Sequence, residues 1–481
     1  MRGKHVFIIL SVILILSLTS NAVEAINAYT TRFIVRSSDI VYPVQVGDLV
    51  FYRSYNSATG WELYKTDGTT AGTGLVKDLA PGSESSSPGP GIAYQGKYLF
   101  RAWQSCTVPG CPAGSYGNAI FISDGTAEGT QLVKVVNTPE TGFTVYKDIV
   151  YFSGVDLNFA YEDNWEPWRT DGTTDGTYRF ANINTGASNW GSGAHSFTVV
   201  DDLLYFATLY DASGSNGEIY FTDGTPGYAV PATHFSSQYP ALNNLTECGG
   251  RLFYSGSDTG DGNTDRELWT LDETGEIRVM DIRPGTNSSD PYYLITMGNR
   301  LFFEANDGTH GSELWTTDCN TLTTIMPQDV YPGANSGFLT SEFPVILGNN
   351  LYFTGYNSDT GMELWKSDGT PEGTVIVKDI CSPACDGNPL RKTATSDAVI
   401  FFAHTTAANG IWQSDGTEAG TIPVVNAVPV SADYVYSFFN LGEIVLGNVD
   451  GRTTAYDGIW AVEPLPPPPS YQLYLPLTTG N

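Results

Sequence analysis

The sequence predicts an all-β fold, a single large β-propeller of about nine four-stranded antiparallel blades, and three observations point to it. The first is a recurring template: ELYKTDGTTAGT, AIFISDGTAEGT, EPWRTDGTTDGT, EIYFTDGTPGY, ELWTLDETGE, ELWTTDCNT, ELWKSDGTPEGT and GIWQSDGTEAGT, with GIWAVE as a truncated ninth copy. Its aspartates are Asp67, Asp124, Asp171, Asp223, Asp272, Asp318, Asp368 and Asp415, separated by 46 to 57 residues, a period in the range of propeller blades. The second is composition. The 481 residues include 52 Gly, 27 Pro, 10 Trp, 28 Tyr and 23 Phe with only 16% charged, which suits short strands and turns rather than long helices. The third is that residues 26–463 divide almost completely into nine units of about 49 residues.

Taken in order, the chain opens with a basic start at Arg2 and Lys4, an apolar run from Val6 to Leu18, and small residues at Val23 and Ala25. These are the parts of a secretory signal peptide, residues 1–25, cleaved near Ala25, and they predict an extracellular or cell-surface location. The apolar run is short for a membrane span, and no later stretch has 18 consecutive apolar residues, so no span is expected after cleavage.

Each unit then reads as four strands, here lettered A to D. A and B flank a Gly/Asn turn, as in VIL-GNN-LYFTG; C carries the ELW string; D is a β-branched run such as TVIVKDI. One such meander cannot bury both faces alone, so the units must stack radially. The ninth has A, B and C runs (YVYSFF, EIVLG, GIWAVE) and no D run. The unassigned TRFIVR at Thr31–Arg36 is therefore expected to pair beside GIWAVE and close the ring, with eight blades plus an appendage as the fallback. Residues 464–481 form a Pro-rich tail whose YLPL string suggests sorting or surface attachment.

Six cysteines, an even number in an oxidising compartment, read as disulfides: Cys106 with Cys111, Cys381 with Cys385, and Cys248 with Cys319 as the long-range pair. The close pairs lie about 270 residues apart with no His-rich partner segment, which disfavours zinc.

The strings ELWKSDGTPEGTVIVKDI and ELYKTDGTTAGTGLVKDL resemble those of ELWxxDGT repeat proteins, a group of secreted bacterial β-propellers. The resemblance spans residues 40–463 and weakens at repeats 4 to 6, where DGT gives way to DGTPGY, DETGE and DCNT. It implies an extracellular propeller and brings no catalytic residue with it.

The template aromatics Tyr64, Phe121, Trp168, Tyr220, Trp269, Trp315, Trp365, Trp412 and Trp460 are expected to wedge between blades, each contributing roughly 2 to 3 kcal/mol. The DGT aspartates are expected to organise the C–D turn by accepting backbone N–H groups. The C–D turns are nearly constant and the B–C loops vary, so a functional face is expected on the B–C side. There the third-blade loop offers Asp156, Asn158, Tyr161, Glu162, Asp163 and Trp165, with Trp190 on the neighbouring crossing, as ligand-binding candidates. In the fifth-blade loop Asp258, Asp261, Asn263 and Asp265 supply alternating oxygens that suggest calcium, although the Gly and Glu of an EF-hand loop are missing.

An excess of 52 acidic over 23 basic residues, net charge −29, excludes nucleic acid and anionic membranes as partners. GxSxG and HExxH are absent, and the four His after residue 25 fall in different repeats. The sequence therefore predicts a monomeric binding scaffold for an extracellular protein or glycan rather than an enzyme. The alternatives are a polysaccharide hydrolase or lyase using loop-face carboxylates, and a purely structural surface component.

Overall fold

The computed structural model describes residues 28–465 apart from 37–39, 106–115, 139–141, 156–164, 186–190, 211–216, 234–241, 258–263, 273–274, 340–342, 383–384, 406–408, 425–433 and 451–457. Nine four-stranded antiparallel sheets form nine blades, as the repeat count predicts. Eight span residues 41–77, 91–135, 144–179, 195–231, 243–280, 292–325, 345–378 and 390–423, numbered blades 1 to 8. Blade 9 combines residues 434–464 with the strand Tyr29–Val35.

Ring closure follows the expected pattern. Tyr29–Val35 pairs antiparallel with Gly458–Pro464, with Thr31 opposite Val462 and Phe33 opposite Trp460, so the N-terminal strand supplies the missing D strand. Fully buried Tyr29 also reaches blade 8: its N–H donates to Gln413 Oε1 at 2.7 Å and its hydroxyl to Asp397 Oδ1 at 2.6 Å.

The core is divided among the blade interfaces, because every sheet has two apolar faces and no layer behind it. Phe302 and Leu314 of blade 6 pack with Leu351, Phe353 and Trp365 of blade 7, while Tyr352 and Leu364 of blade 7 pack with Val399, Phe401 and Trp412 of blade 8. The template aromatics fill these seams, with Trp168, Trp269, Trp315, Trp365 and Trp412 all buried. The A strands are innermost and bond directly to one another. Thr198 Oγ1 of blade 4 donates to Leu245 O of blade 5 at 3.0 Å, and Thr296 Oγ1 of blade 6 donates to Glu247 O of blade 5 at 2.6 Å.

One backbone feature recurs at the loop-face end of strand A. In blades 1, 4, 5, 6 and 8 the second residue (Tyr42, Ser196, Asn244, Tyr293, Arg391) has positive φ, and the A–B register shifts at that point. A bulge with a non-glycine residue in the left-handed region turns the strand entrance and re-aims its side chain.

Two of the expected disulfides are present. Cys381 joins Cys385, and Cys248 at the end of strand A in blade 5 joins Cys319 in the C–D turn of blade 6. Cys106 and Cys111 lie outside the described residues, as do residues 1–27 and 466–481.

Candidate functional site

The two ends of the ring are built differently, and the difference locates the candidate site. At one end the DGTxxGT turns close on themselves. In blade 1 Asp67 Oδ1 accepts from Thr69 N at 2.8 Å and Thr69 Oγ1 at 2.7 Å, Thr69 Oγ1 accepts from Gly72 N at 3.0 Å, and Gly68 N donates to Thr66 Oγ1 at 3.0 Å. The same set recurs at Asp124, Asp171, Asp368 and Asp415. These five aspartates organise their turns, as expected, each through its Oδ1. Lysines of strand D then stitch neighbouring blades through these turns: Lys77 Nζ to Thr130 O at 2.7 Å, Lys134 Nζ to Thr177 O at 2.6 Å and Lys378 Nζ to Thr421 O at 2.8 Å.

At the other end lie the B–C loops and the D-to-A crossings. Five of the crossings are held by a residue that the sequence reading missed, the Glu that opens the ELW string. Fully buried Glu62 accepts from Leu79 N at 3.0 Å, Ala80 N at 3.3 Å, Ser86 N at 2.9 Å and Ser86 Oγ at 2.6 Å. Glu166, Glu267, Glu313 and Glu363 clasp the corresponding crossings. Burial pushes these carboxyls up, to about 8 for Glu313 and about 7 for Glu363. For Glu62, Glu166 and Glu267 a serine hydroxyl pulls the other way. The available signal was a glutamate in six of nine template copies, followed 22 to 26 residues later by Ser or Gly in five of them.

Of the third-blade candidates only Trp165 is described. It is half-buried, and its carbonyl accepts from Gly193 N at 2.9 Å, which ties the loop to the next crossing. Asp156, Asn158, Tyr161, Glu162, Asp163 and Trp190 lie outside the described residues. So do Asp258, Asp261 and Asn263 of the expected calcium loop, whereas Asp265 is buried and ion-paired with Arg278. Oxygens of Asp265, Glu267 and Asp281 lie within 4.8 Å of one another, but Arg278 also stands 3.7 Å from Asp281 and Glu267 is engaged with its crossing. The guanidinium takes the place a cation would take, so Ca²⁺ would have to displace it.

The loop face also carries an aromatic stack at the boundary of blades 1 and 2. The Arg53 guanidinium lies 5.0 Å from the ring centre of Tyr42 and 5.0 Å from that of Trp61, and Trp61 meets Tyr55 at 5.5 Å. On the turn face a cleft of about 1120 Å³ opens between blades 4 and 5, lined by Asp201, Asp202, Tyr205, Phe221, Arg251 and Asp272 among others. It lies where strand D of blade 4 shrinks to Val230–Pro231 and the DGT turn has degenerated. Asp272 is committed to Arg251.

These features define a nine-bladed β-propeller with self-closed DGTxxGT turns on one face and the B–C loops and crossings on the other. No protein-family model matches the chain, and no curated protein matches it. Solved structures with some likeness include puromycin hydrolase, 12% identical with a TM-score of 0.40 over 79% of this chain and 62% of that one. TolB from Acinetobacter baumannii is 14% identical, TM-score 0.29, over 62% of this chain and 63% of that one. Prolyl oligopeptidase B from Galerina marginata, bound to a 35mer substrate, is 10% identical, TM-score 0.43, over 88% of this chain and 55% of that one. The chain spans less than two thirds of the length of each, and likeness at this level says nothing about its role.

Proposed function

We propose that the protein is a secreted or cell-surface propeller of the ELWxxDGT repeat type that acts as a binding scaffold, engaging a glycan or protein partner through its loop face. The distribution of exposed aromatic surface carries this reading. Tyr55 (45% exposed), Trp103 (42%), Tyr292 (40%) and Phe343 (72%) all stand at the loop-face end, whereas the turn face offers Tyr228 (43%). Exposed rings forgo the burial that stabilises a fold, and although Phe33 (38% exposed) lies on the outer strand of blade 9, their concentration at one end of blades 1, 2, 6 and 7 marks that face for interaction. On the turn face the polar groups of the DGTxxGT turns are consumed within the turns, the cleft between blades 4 and 5 lying where that unit has degenerated. Secretion is supported by the disulfides, which persist in oxidising compartments, and by the make-up of residues 1–25. The loop-face carboxylates Asp265, Glu267 and Asp281 are each engaged by Arg278 or a crossing, so they lend the hydrolase alternative no support.

The test is binding to a glycan array by the secreted protein, by a Trp103→Ser, Tyr292→Ser, Phe343→Ser triple variant and by Tyr228→Ser. The triple variant is expected to lose at least about tenfold in signal while Tyr228→Ser keeps it. Loss in the turn-face variant with retention in the triple variant would overturn the reading.

A further inference from the structure

The stack at the blade 1–2 boundary has a chemistry of its own. Tyr42, Arg53, Trp61 and Tyr55 adjoin one another in series, from the bulged entrance of strand A, across strand B, to the B–C turn, with the Trp61 and Tyr55 rings tilted at 53°. The fold fixes each member. Tyr42 is held in a left-handed conformation by the A-strand bulge, Tyr55 sits opposite Trp61 in the B–C pairing, and Arg53 sits opposite Leu63. The rings at the solvent end are open, since Tyr55 is 45% exposed and Trp61 is only half-buried.

The arginine sets this cluster apart from ordinary aromatic packing. Four guanidinium groups answer carboxylates, Arg32 with Glu463, Arg251 with Asp272, Arg266 with Asp290 and Arg278 with Asp265. Arg169 also lies over a ring, that of Tyr178, with its Nε buried without a partner, and Arg53 differs from it in meeting two rings. Arg53 makes no hydrogen bond or ion pair among the described residues, and its Nε is buried without a partner. A guanidinium in contact with two rings has lost much of its conformational freedom, and with Nε buried it is the two terminal nitrogens that remain to meet a carboxylate. In a chain with 52 acidic and 23 basic residues, a pre-oriented cation with no acid beside it is set up for an anion from outside.

We propose that this stack binds a carboxylate-bearing sugar, a hexuronate at the end of a glycan. Arg53 takes the carboxylate through its fork, while Trp61 and Tyr55 pack against the apolar face of the pyranose ring. A polyanion is disfavoured, because the net charge of −29 repels it over the distance at which one guanidinium attracts it. An acidic peptide would supply the carboxylate but no flat apolar ring face for Trp61 and Tyr55. The assignment rests on the loop-face reading above and narrows it to one site and one ligand class.

The experiment is a tryptophan-fluorescence and calorimetric titration of the full secreted chain with three probes: a glucuronic acid-terminated disaccharide, the matching glucose-terminated disaccharide, and a blocked aspartyl dipeptide. Wild-type protein is expected to bind the uronate at least about tenfold more tightly than either control. Arg53→Gln should abolish that preference, Arg53→Lys should recover only part of it, and Tyr55→Ser, at an exposed position, should weaken uronate binding severalfold with an unchanged thermal transition. Equal affinity for acidic and neutral sugar, tighter binding of the dipeptide, or an unaltered uronate affinity in both Arg53→Gln and Tyr55→Ser would overturn the assignment. If the uronate fails while the array signal still depends on Trp103, Tyr292 and Phe343, this site is wrong and the loop-face reading stands. If the array signal tracks Tyr228 instead, the loop-face reading is the one that fails.

Discussion

Two sets of carboxylates recur around the ring, and their surroundings shift them in opposite directions, burial dominating in one and hydrogen bonds in the other. Glu313 and Glu363 are pushed up to about 8 and about 7, chiefly by burial, with the N–H groups of Val330 and Gly337, and of Ile380 and Gly387, offsetting only part of it. An unfolded glutamate titrates near 4.5, so between 4.5 and these values the folded chain holds more protons than the unfolded one. The stability these sites contribute is complete below about pH 4.5 and is lost as the pH climbs to 8, on the order of 3 to 5 kcal/mol per site. Asp67, Asp124 and Asp368 behave conversely. The hydroxyls of Thr69, Thr126 and Thr370 hold these carboxyls below their ordinary 3.8, so their contribution is present above that value and fades as pH falls. Stability should therefore peak near about pH 4 to 5, more acidic than the usual optimum of about 5 to 8. Urea midpoints measured from pH 3 to 9 check this. Self-repulsion of the net charge acts in the same direction on the alkaline side, so Glu313→Gln is the discriminating variant, and its midpoint should fall less steeply between pH 5 and 8 than that of wild type. A wild-type midpoint that rises across that interval would refute the account.

At the scale of the turn, the DGTxxGT unit makes one carboxylate and one glycine interdependent. In blade 8 Asp415 Oδ1 accepts from Thr417 N at 2.8 Å and Thr417 Oγ1 at 2.7 Å, and a Cβ added to Gly420 would lie 2.0 Å from that same carboxylate. Asp415→Ala removes two partly exposed hydrogen bonds and should cost about 1 to 2 kcal/mol. Gly420→Ala should cost more, because the new methyl group must expel the carboxylate from its bonds. In the double variant the clash has no partner, so the combined cost should fall well short of the sum, with a coupling of about 1 kcal/mol or more. Additive costs in urea unfolding would show that the glycine is there for another reason. This unit was legible in the sequence because all its contacts lie within seven residues and its residue types have few other uses. Blade count, ring closure by TRFIVR and the Cys248–Cys319 bridge were legible for a related reason, since a repeat exposes its own exceptions. The glutamate clasps were far harder to read, because Glu62 acts mostly on backbone N–H groups of residues 79, 80 and 86, and only the recurring Glu with Ser or Gly 22 to 26 residues later marks them. The Arg53 stack was equally hidden. It depends on a bulge that turns Tyr42 back over strand B, a conformation that neither Val41 nor Tyr42 announces.

A closed ring has nine interfaces, and loosening one loosens the whole, so the weakest seam matters most. Seams between blades 1 and 2, 2 and 3, and 7 and 8 carry a strand-D lysine bonded to the next C–D turn. The seam between blades 9 and 1 is tied by Arg32, which donates to Gly68 O at 3.2 Å while its ion pair with Glu463 holds the closing strand in blade 9. Among the described residues the blade 5 to 6 seam has neither device, and its C–D turn in blade 6 has lost the template glycine, which is replaced by Cys319. The disulfide to Cys248 stands in for the lost stitch: both sulfurs are buried, and Cys319 N also bonds Asn299 O at 3.0 Å. A cross-link over 71 residues restricts the unfolded chain by roughly 4 kcal/mol in the chain-entropy model. A Cys248→Ser, Cys319→Ser variant should lose about that much stability, and its amide exchange should accelerate first in strands 243–248 and 312–318, on either side of the seam. The Cys381–Cys385 bridge closes only a short local loop, so Cys381→Ser with Cys385→Ser should cost distinctly less. If the two double variants unfold at the same urea concentration, or if exchange in the first accelerates uniformly around the ring, the bridge is not acting as the tie of a weak seam.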